Sequence, residues 1–575
     1  MAKMFNQTLN TALQQAEKGQ RLVWLNFYTS WGWESSDWRK SLEAIPQWKQ
    51  LREEFVCVEW NRDWSLEVDQ ALQSFLQMRT GQSGWPMNAF LSPQGEILFA
   101  CGAVEPQAFT ELARQLWVTW KIDPQPLREQ AQRELAAFRK ADPLSKGIAP
   151  LDAQEVSKIL GQASLLRFLT PLEKSLNLDK GYIGQGQIFH FPYAYRSLLS
   201  YEDLSRWGEL ALLNLAKSPL CDVVGGGFFR SVEVDSDGQV KSVSTEKLLV
   251  DNAEILDVYI DACQNKKTPF FEQVAHEILE SILRDFRLGS SDSDESPSFA
   301  SAVSQSPDYY SFTSTDLLKV LAPKERQSAQ LFFGLEGRGK IPSIETDVSV
   351  LSEFVNIEPV DLRLQLIGSR KALLKYREER GAKLRKSPSD RLSELTLLRV
   401  LARVVFSFDT PNVPQICEAL FERYQEEFKS DHKGAGWSLR EKAAYMRALS
   451  AMTRLKTAHR DSEAAKTYFE ELEAVIFDLQ DPLVAEAAWS SPMLGERFDL
   501  CDHGGASGLA SLLIALLDYN SLTRMGLRAK RNLPVEVGHT LAWTLDRARP
   551  LGLYASSLYW ALMRYQKNQM PVGNA

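Results

Sequence analysis

Residues 21–42 read "RLVWLNFYTSWGWESSDWRKSL". The run Leu22–Tyr28 is apolar, aromatic and too short for a helix, as a buried strand requires, and a Trp-rich turn and the start of a helix follow it. "FVCVEW" (55–60) is a second run of the same kind, and helical spacing fills the residues between the two and after the second. "MNAFLS" and "EILFACG" then meet across "PQG", a tight turn, and "PQAFTELARQLWVTWK" closes the segment as a helix. The order β-α-β-α-β-β-α is that of a thioredoxin-like fold, a sheet covered by helices on both faces.

Beyond residue 122 the composition changes. A charged segment with Pro near both ends (123–150) reads as a helical linker, and 151–575 reads as helix after helix, with apolar residues at i, i+3, i+4 and i+7 in stretches such as "LTLLRVLARVVFSF" and "GLASLLIALLDY". Eleven helices are predicted, at 193–217, 246–264, 268–286, 360–381, 390–407, 413–429, 437–457, 461–478, 506–520, 536–546 and 552–567. Short connections make them hairpins. A closed double ring, an (α/α)6 toroid, accounts for them, and the absence of a fixed repeat weakens an open solenoid. A Ser- and Asp-rich insertion near 287–350 is expected over one mouth.

The net charge is −8, with no stretch of Lys and Arg free of acidic neighbours, so neither nucleic acid nor an anionic membrane is an expected partner. The N-terminus has no apolar core of the signal-peptide kind, and no window reaches the roughly 18 apolar residues of a membrane helix, so a cytoplasmic location is expected. Six scattered cysteines without a CxxC pair argue against disulfides, zinc and dithiol chemistry. The six histidines show no metal-binding spacing, and no metal or cofactor is expected.

Several motifs resemble a family in which a thioredoxin-like domain is fused to a six-hairpin, glycosidase-like domain, the spermatogenesis-associated thioredoxin-like proteins. "KSLEAIPQWKQLREEF" (40–55), "VEWNRDWSLEVD" (58–69) and "GQSGWPMNAFLSPQGEILFACG" (81–102) carry the resemblance in the first domain. "VVGGGFFRSVEVD" (223–235) and "STEKLLVDNAEIL" (244–256) carry it in the second, with weaker echoes in "GYIGQGQIFHFP" (181–192) and "YYSFTSTDL" (309–317). Aligned back from Lys40, the family's Cys-His-Trp-Cys falls on Trp31, Gly32, Trp33 and Glu34. Disulfide exchange needs an attacking thiolate and a resolving thiol, so the chain is expected to lack thiol redox activity. Pro86 takes the place of the proline that such folds hold in cis, and the resemblance implies a cis bond before it.

The family's two helical-domain histidines are replaced as well: Phe228-Phe229-Arg230 stands for Phe-His-Arg, and Ser244 and Thr245 stand in the other motif. Ring-opening sugar chemistry on such toroids uses imidazole acid/base pairs. The resemblance therefore implies a non-catalytic protein that binds a protein partner or a sugar-like small molecule, with Arg230, Lys247 and Asn252 as candidate ligand contacts. A carbohydrate-active enzyme (hydrolase, epimerase or isomerase) working in the toroid mouth is the alternative, with Glu246, Asp251 and His503 as its candidates. On one helix Glu246 and Asp251 would point about 140° apart, too far to converge. Asp251 and Glu254 would share a face of the kind usually solvated. Should Trp31, Trp33 and Trp38 be exposed beside Pro86, they would form a contact patch; if buried, they are core.

Overall fold

The computed structural model describes residues 2–569 except 143, 145–150, 267, 290–295, 336–339, 381–382, 432–433, 435, 480–482, 492, 503–504 and 529–532. Leu22–Tyr28 forms β1, paired in parallel with β2 (Phe55–Asn61) and antiparallel with β3 (Met87–Leu91), which pairs with β4 (Ile97–Cys101); the sheet order is β2-β1-β3-β4. Every residue of β1 up to Phe27 is buried, because helices cover both faces. α1 (Ala2–Gly19) packs Phe5 and Leu9 on one face, while α3 (Pro46–Arg52) and the helix Pro106–Ile122 bring Trp48 and Phe109 to Trp24 on the other. α2 (Trp33–Glu43) follows the Trp-rich turn. In the segment read as a linker, helix Gln125–Ala141 lies along β4 and buries Ala131 and Phe138, so it acts as a further cover of the sheet.

The rest of the chain is largely helical. Six inner helices, Pro192–Ser200, Leu249–Asn265, Arg391–Ser407, Leu439–Ala458, Gly508–Thr523 and Ser556–Gln569, each pack on the next, and the last packs on the first. Outer helices back them: Ser205–Leu215, Pro269–Ser281, Val413–Ser430, Ser462–Phe477, Pro534–Ala548 and, behind the closing pair, Gln162–Ser175. This closed double ring is an (α/α)6 toroid. The inner helices are wrapped on all sides, so Gly508–Thr523 is buried almost throughout, whereas outer helices such as Val413–Ser430 keep one apolar stripe.

Two predicted helices differ in extent. The predicted helix 193–217 is two helices broken at Tyr201–Leu204, which turns the chain from the inner ring to the outer. The predicted 246–264 begins only at Leu249, because Lys247 and Leu248 pair as a strand with Val303 and Ala302 of the insertion. The long connections precede inner helices, so they gather at the mouth formed by those helices' N-termini. No described helix is long and apolar enough to cross a membrane.

Candidate functional site

The first domain sits on that mouth. Hairpin Ala488–Ser491/Gly495–Phe498 reaches out from the toroid and buries Met493 and Leu494 in the core between α1 and the sheet. Arg139 donates to the Leu494 carbonyl at 3.2 Å, and Arg497 pairs with Asp142 at 3.2 Å. On the far side of the contact Trp31 forms a small cluster with Leu248, Val250 and Ala302 of the toroid and with Trp85 of its own domain.

Trp31 is therefore buried, at 6% exposure. Its indole N–H donates to Asp63 at 3.0 Å, its ring meets Trp85 edge-on at 5.9 Å, and the Arg230 guanidinium lies 4.9 Å from its centroid. Trp85 is fixed in turn by Asp69, which accepts its indole N–H at 2.7 Å, and by Arg62 at 4.9 Å from its ring. The Trp85–Pro86 peptide is cis. Trp38 is half-buried between Phe109 and the Val104 carbonyl, on the side away from the toroid, so Trp31 and Trp38 do not make one exposed patch. The side chains of Trp33 and Glu34 lie outside the described residues, as does His503.

Between the domains lies a cavity of about 440 Å³. Thr29, Trp31 and Trp85 form its roof, and Arg230, Glu246, Asp251 and Glu254 are among the toroid residues below. The sequence argument that Glu246 and Asp251 cannot converge fails, since Glu246 precedes the helix and is free of its 100° steps; both face the cavity. Arg230 spans them: its amide donates to the Glu246 carbonyl at 2.7 Å, and its guanidinium stands 3.8 Å from Asp251.

Lys247 and Asn252 are not cavity contacts. Lys247 is buried and donates to Asp222 and to the Gly226 carbonyl, both at 2.8 Å, beside Arg377, which also binds Asp222. Burial would raise the Asp222 carboxyl, but Arg377 and Lys247 outweigh it and hold it far below the usual range. Asn252 closes on the backbone of Phe228, accepting from its N–H at 2.7 Å and donating to its carbonyl at 3.0 Å. That clamp fixes the "GGGFF" turn, in which Gly226 has φ +82° and a Cβ would lie 2.4 Å from the Glu277 carbonyl oxygen. Both residues hold the scaffold under the mouth.

Three further cavity groups were not among the site candidates read from the sequence. His190 pairs through Nε2 with the Phe229 carbonyl, while its buried Nδ1 has no hydrogen-bond partner among the described residues. Burial lowers its pKa despite Asp251, so the ring is neutral; Nε2 carries the proton and Nδ1 is an acceptor. Glu254, expected on a solvated face, is 2% exposed: Tyr193 donates to its Oε1 at 2.9 Å, Arg399 stands 3.0 Å away, and Oε2 has no hydrogen-bond partner among the described residues. Burial would raise this carboxyl; Arg399, Arg447 and Arg196 keep it below the ordinary value.

Asp502 is the third. Burial pushes its carboxyl up to about 6, although it accepts from Ser557 and Ser507 amides and from the Ser556 hydroxyl. A carboxyl raised in the folded state favours folding most when protonated, so its contribution is complete below about pH 4 and is lost as pH rises through about 6. We expect the thermal-stability profile of the parent minus that of Asp502→Ala to fall by roughly 2 kcal/mol between pH 4 and 7. A flat difference would show that Asp502 ionises as in the unfolded chain.

Residues 5–139 match the Thioredox_DsbH family model, described as a protein of unknown function, DUF255. Spermatogenesis-associated protein 20 of mouse is 25% identical over 393 residues, 63% of this chain and 48% of the relative. The human protein of that name is 26% identical over 292 residues, 48% of this chain and 36% of the relative. This chain is similar to the spermatogenesis-associated thioredoxin-like proteins. It spans about half the length or less of these curated relatives. A cellobiose 2-epimerase from Spirochaeta thermophila superposes with a TM-score of 0.39 at 13% identity, covering 72% of this chain and 98% of the epimerase.

Proposed function

We propose that this chain binds a sugar-sized polyol in the cavity between its two domains and performs no thiol chemistry. The observation that carries the reading is Trp31, which in place of the family's first cysteine closes over the toroid mouth and turns a reactive loop into a roof. Aromatic faces beside a ring of carboxylates suit sugars, whose C–H faces stack on rings while their hydroxyls both donate and accept. Glu254 Oε2 and His190 Nδ1 are buried acceptors without hydrogen-bond partners among the described residues, and a hydroxyl-rich ligand would satisfy both. Arg230, Glu246 and Asp251 supply the remaining polar wall.

A protein partner is the lesser reading, because the aromatic cluster is already spent on the domain contact. The catalytic alternative draws on His190 and Asp502, a neutral imidazole with a free acceptor and a carboxyl titrating near 6 in one cavity.

The test is a thermal-shift and calorimetric screen of the full chain against neutral mono- and disaccharides. At least one sugar is expected to raise the melting temperature by several degrees, and Glu246→Gln, which keeps the shape of the wall, to reduce that shift. A panel without any shift would overturn the binding reading. NMR of a bound sugar during incubation then separates binding from turnover, since a second anomer, epimer or hydrolysis product would favour the enzyme.

A further inference from the structure

The toroid has a second mouth, at the C-terminal ends of the inner helices, and it holds a cavity of about 420 Å³. Six guanidinium groups line it: Arg196, Arg399, Arg403, Arg447, Arg454 and Arg564. A floor of ion pairs across the toroid axis divides it from the interdomain cavity, with Glu254 facing one side and Arg399 and Arg447 the other.

The charges on this side do not balance. Asp257 takes Arg196, Arg399 and Arg403 together. Arg403 also reaches Asp261 at 2.7 Å; Asp518 lies 2.8 Å from Arg564 and 3.8 Å from Arg454; Glu254 lies 3.7 Å from Arg447. Six guanidinium groups therefore share four carboxylates, an excess of two positive charges among the described residues. The helix C-termini attract cations, but that effect is confined to the last turn, and Arg399 and Arg447 lie about two turns or more further in. Arg447 Nε is buried without a hydrogen-bond partner among the described residues. Partial burial, reinforced by Arg564 and Arg403, holds Arg454 below the usual arginine range against the pull of Asp518.

We propose that this second mouth is a binding site for a small phosphomonoester. A phosphomonoester carries nearly two negative charges at neutral pH, the size of the excess, and its oxygens match the guanidinium fork. The cavity is larger than a phosphate group, and Phe406, Met525 and Trp560 give it an apolar side for the organic part. The proposal does not depend on sugar binding in the other mouth.

The experiment is calorimetry on the full chain at low salt with glycerol 3-phosphate and glucose 6-phosphate, each against its parent alcohol and against inorganic phosphate. The ester is expected to bind more tightly than the alcohol and than inorganic phosphate. Arg454→Gln and Arg564→Gln, tested separately, are each expected to remove about tenfold or more of the gain from the phosphoryl group. Arg454 is 40% exposed at the rim, so its variant is expected to fold. The proposal is overturned if no ester binds, if inorganic phosphate binds as tightly as the esters, or if either folded variant binds them as the parent does.

Discussion

Asp257→Ala is expected to be the most damaging single change in the helical domain. The Asp257 side chain is fully buried and receives Arg196, Arg399 and Arg403 from two neighbouring inner helices besides its own. Burial alone would raise this carboxyl, yet the three arginines hold it well below the usual range. Removing it strands three cations in a low-dielectric floor, with Glu254 and Asp261 as the remaining partners. Breaking a buried ion pair costs about 3–5 kcal/mol, and Asp257→Asn, which keeps the shape and loses only the charge, is expected to cost nearly as much. Denaturant unfolding followed by far-UV circular dichroism would read it. A loss under about 1 kcal/mol would mean that water reaches the floor and screens it.

Trp31→Ala is the second. The indole is the centre of the interdomain cluster, and its removal takes from Arg230 the nearest of the rings beside it and from Asp63 the indole N–H, leaving Trp85 and Phe189 beside the guanidinium and Arg62 paired with the carboxylate. Large-to-alanine changes of buried aromatics cost about 3–5 kcal/mol, and here the loss falls on the contact between domains. The expected result is a melting temperature lower by several degrees, together with a larger radius of gyration in small-angle scattering as the domains part. An unchanged radius would show that the hairpin at Met493 and Leu494 holds the domains by itself.

Much of the architecture was legible from local pattern. Strand-length apolar runs, the "PQG" turn and the 3.6-residue stripes depend on neighbours in sequence, so they gave the sheet and most of the ring. Lys247 and Asn252 show where that reasoning stops. Both belong to a motif of the family and both look polar and available, yet their partners, Asp222 and the Phe228 backbone, lie more than 20 residues away, and only the fold reveals that they are already satisfied. His190 is the converse. A lone histidine in "IFHFP" carries no spacing signal; it matters because the Phe229 carbonyl fixes one nitrogen and leaves the other facing a cavity. That Glu246 and Asp251 line one cavity was missed for a simpler reason, a helix start placed three residues early, which imposed a rotation that the chain does not have.

The hairpin that delivers Met493 and Leu494 also bears on how the chain matures. The core between α1 and the sheet is completed by residues made some 350 positions after the last helix of that domain, so a nascent N-terminal half leaves the ribosome with an open apolar notch. Fragments ending near residue 141 would carry that notch to solvent and self-associate. The two halves are in this sense a single translation product with one finishing step, taken late.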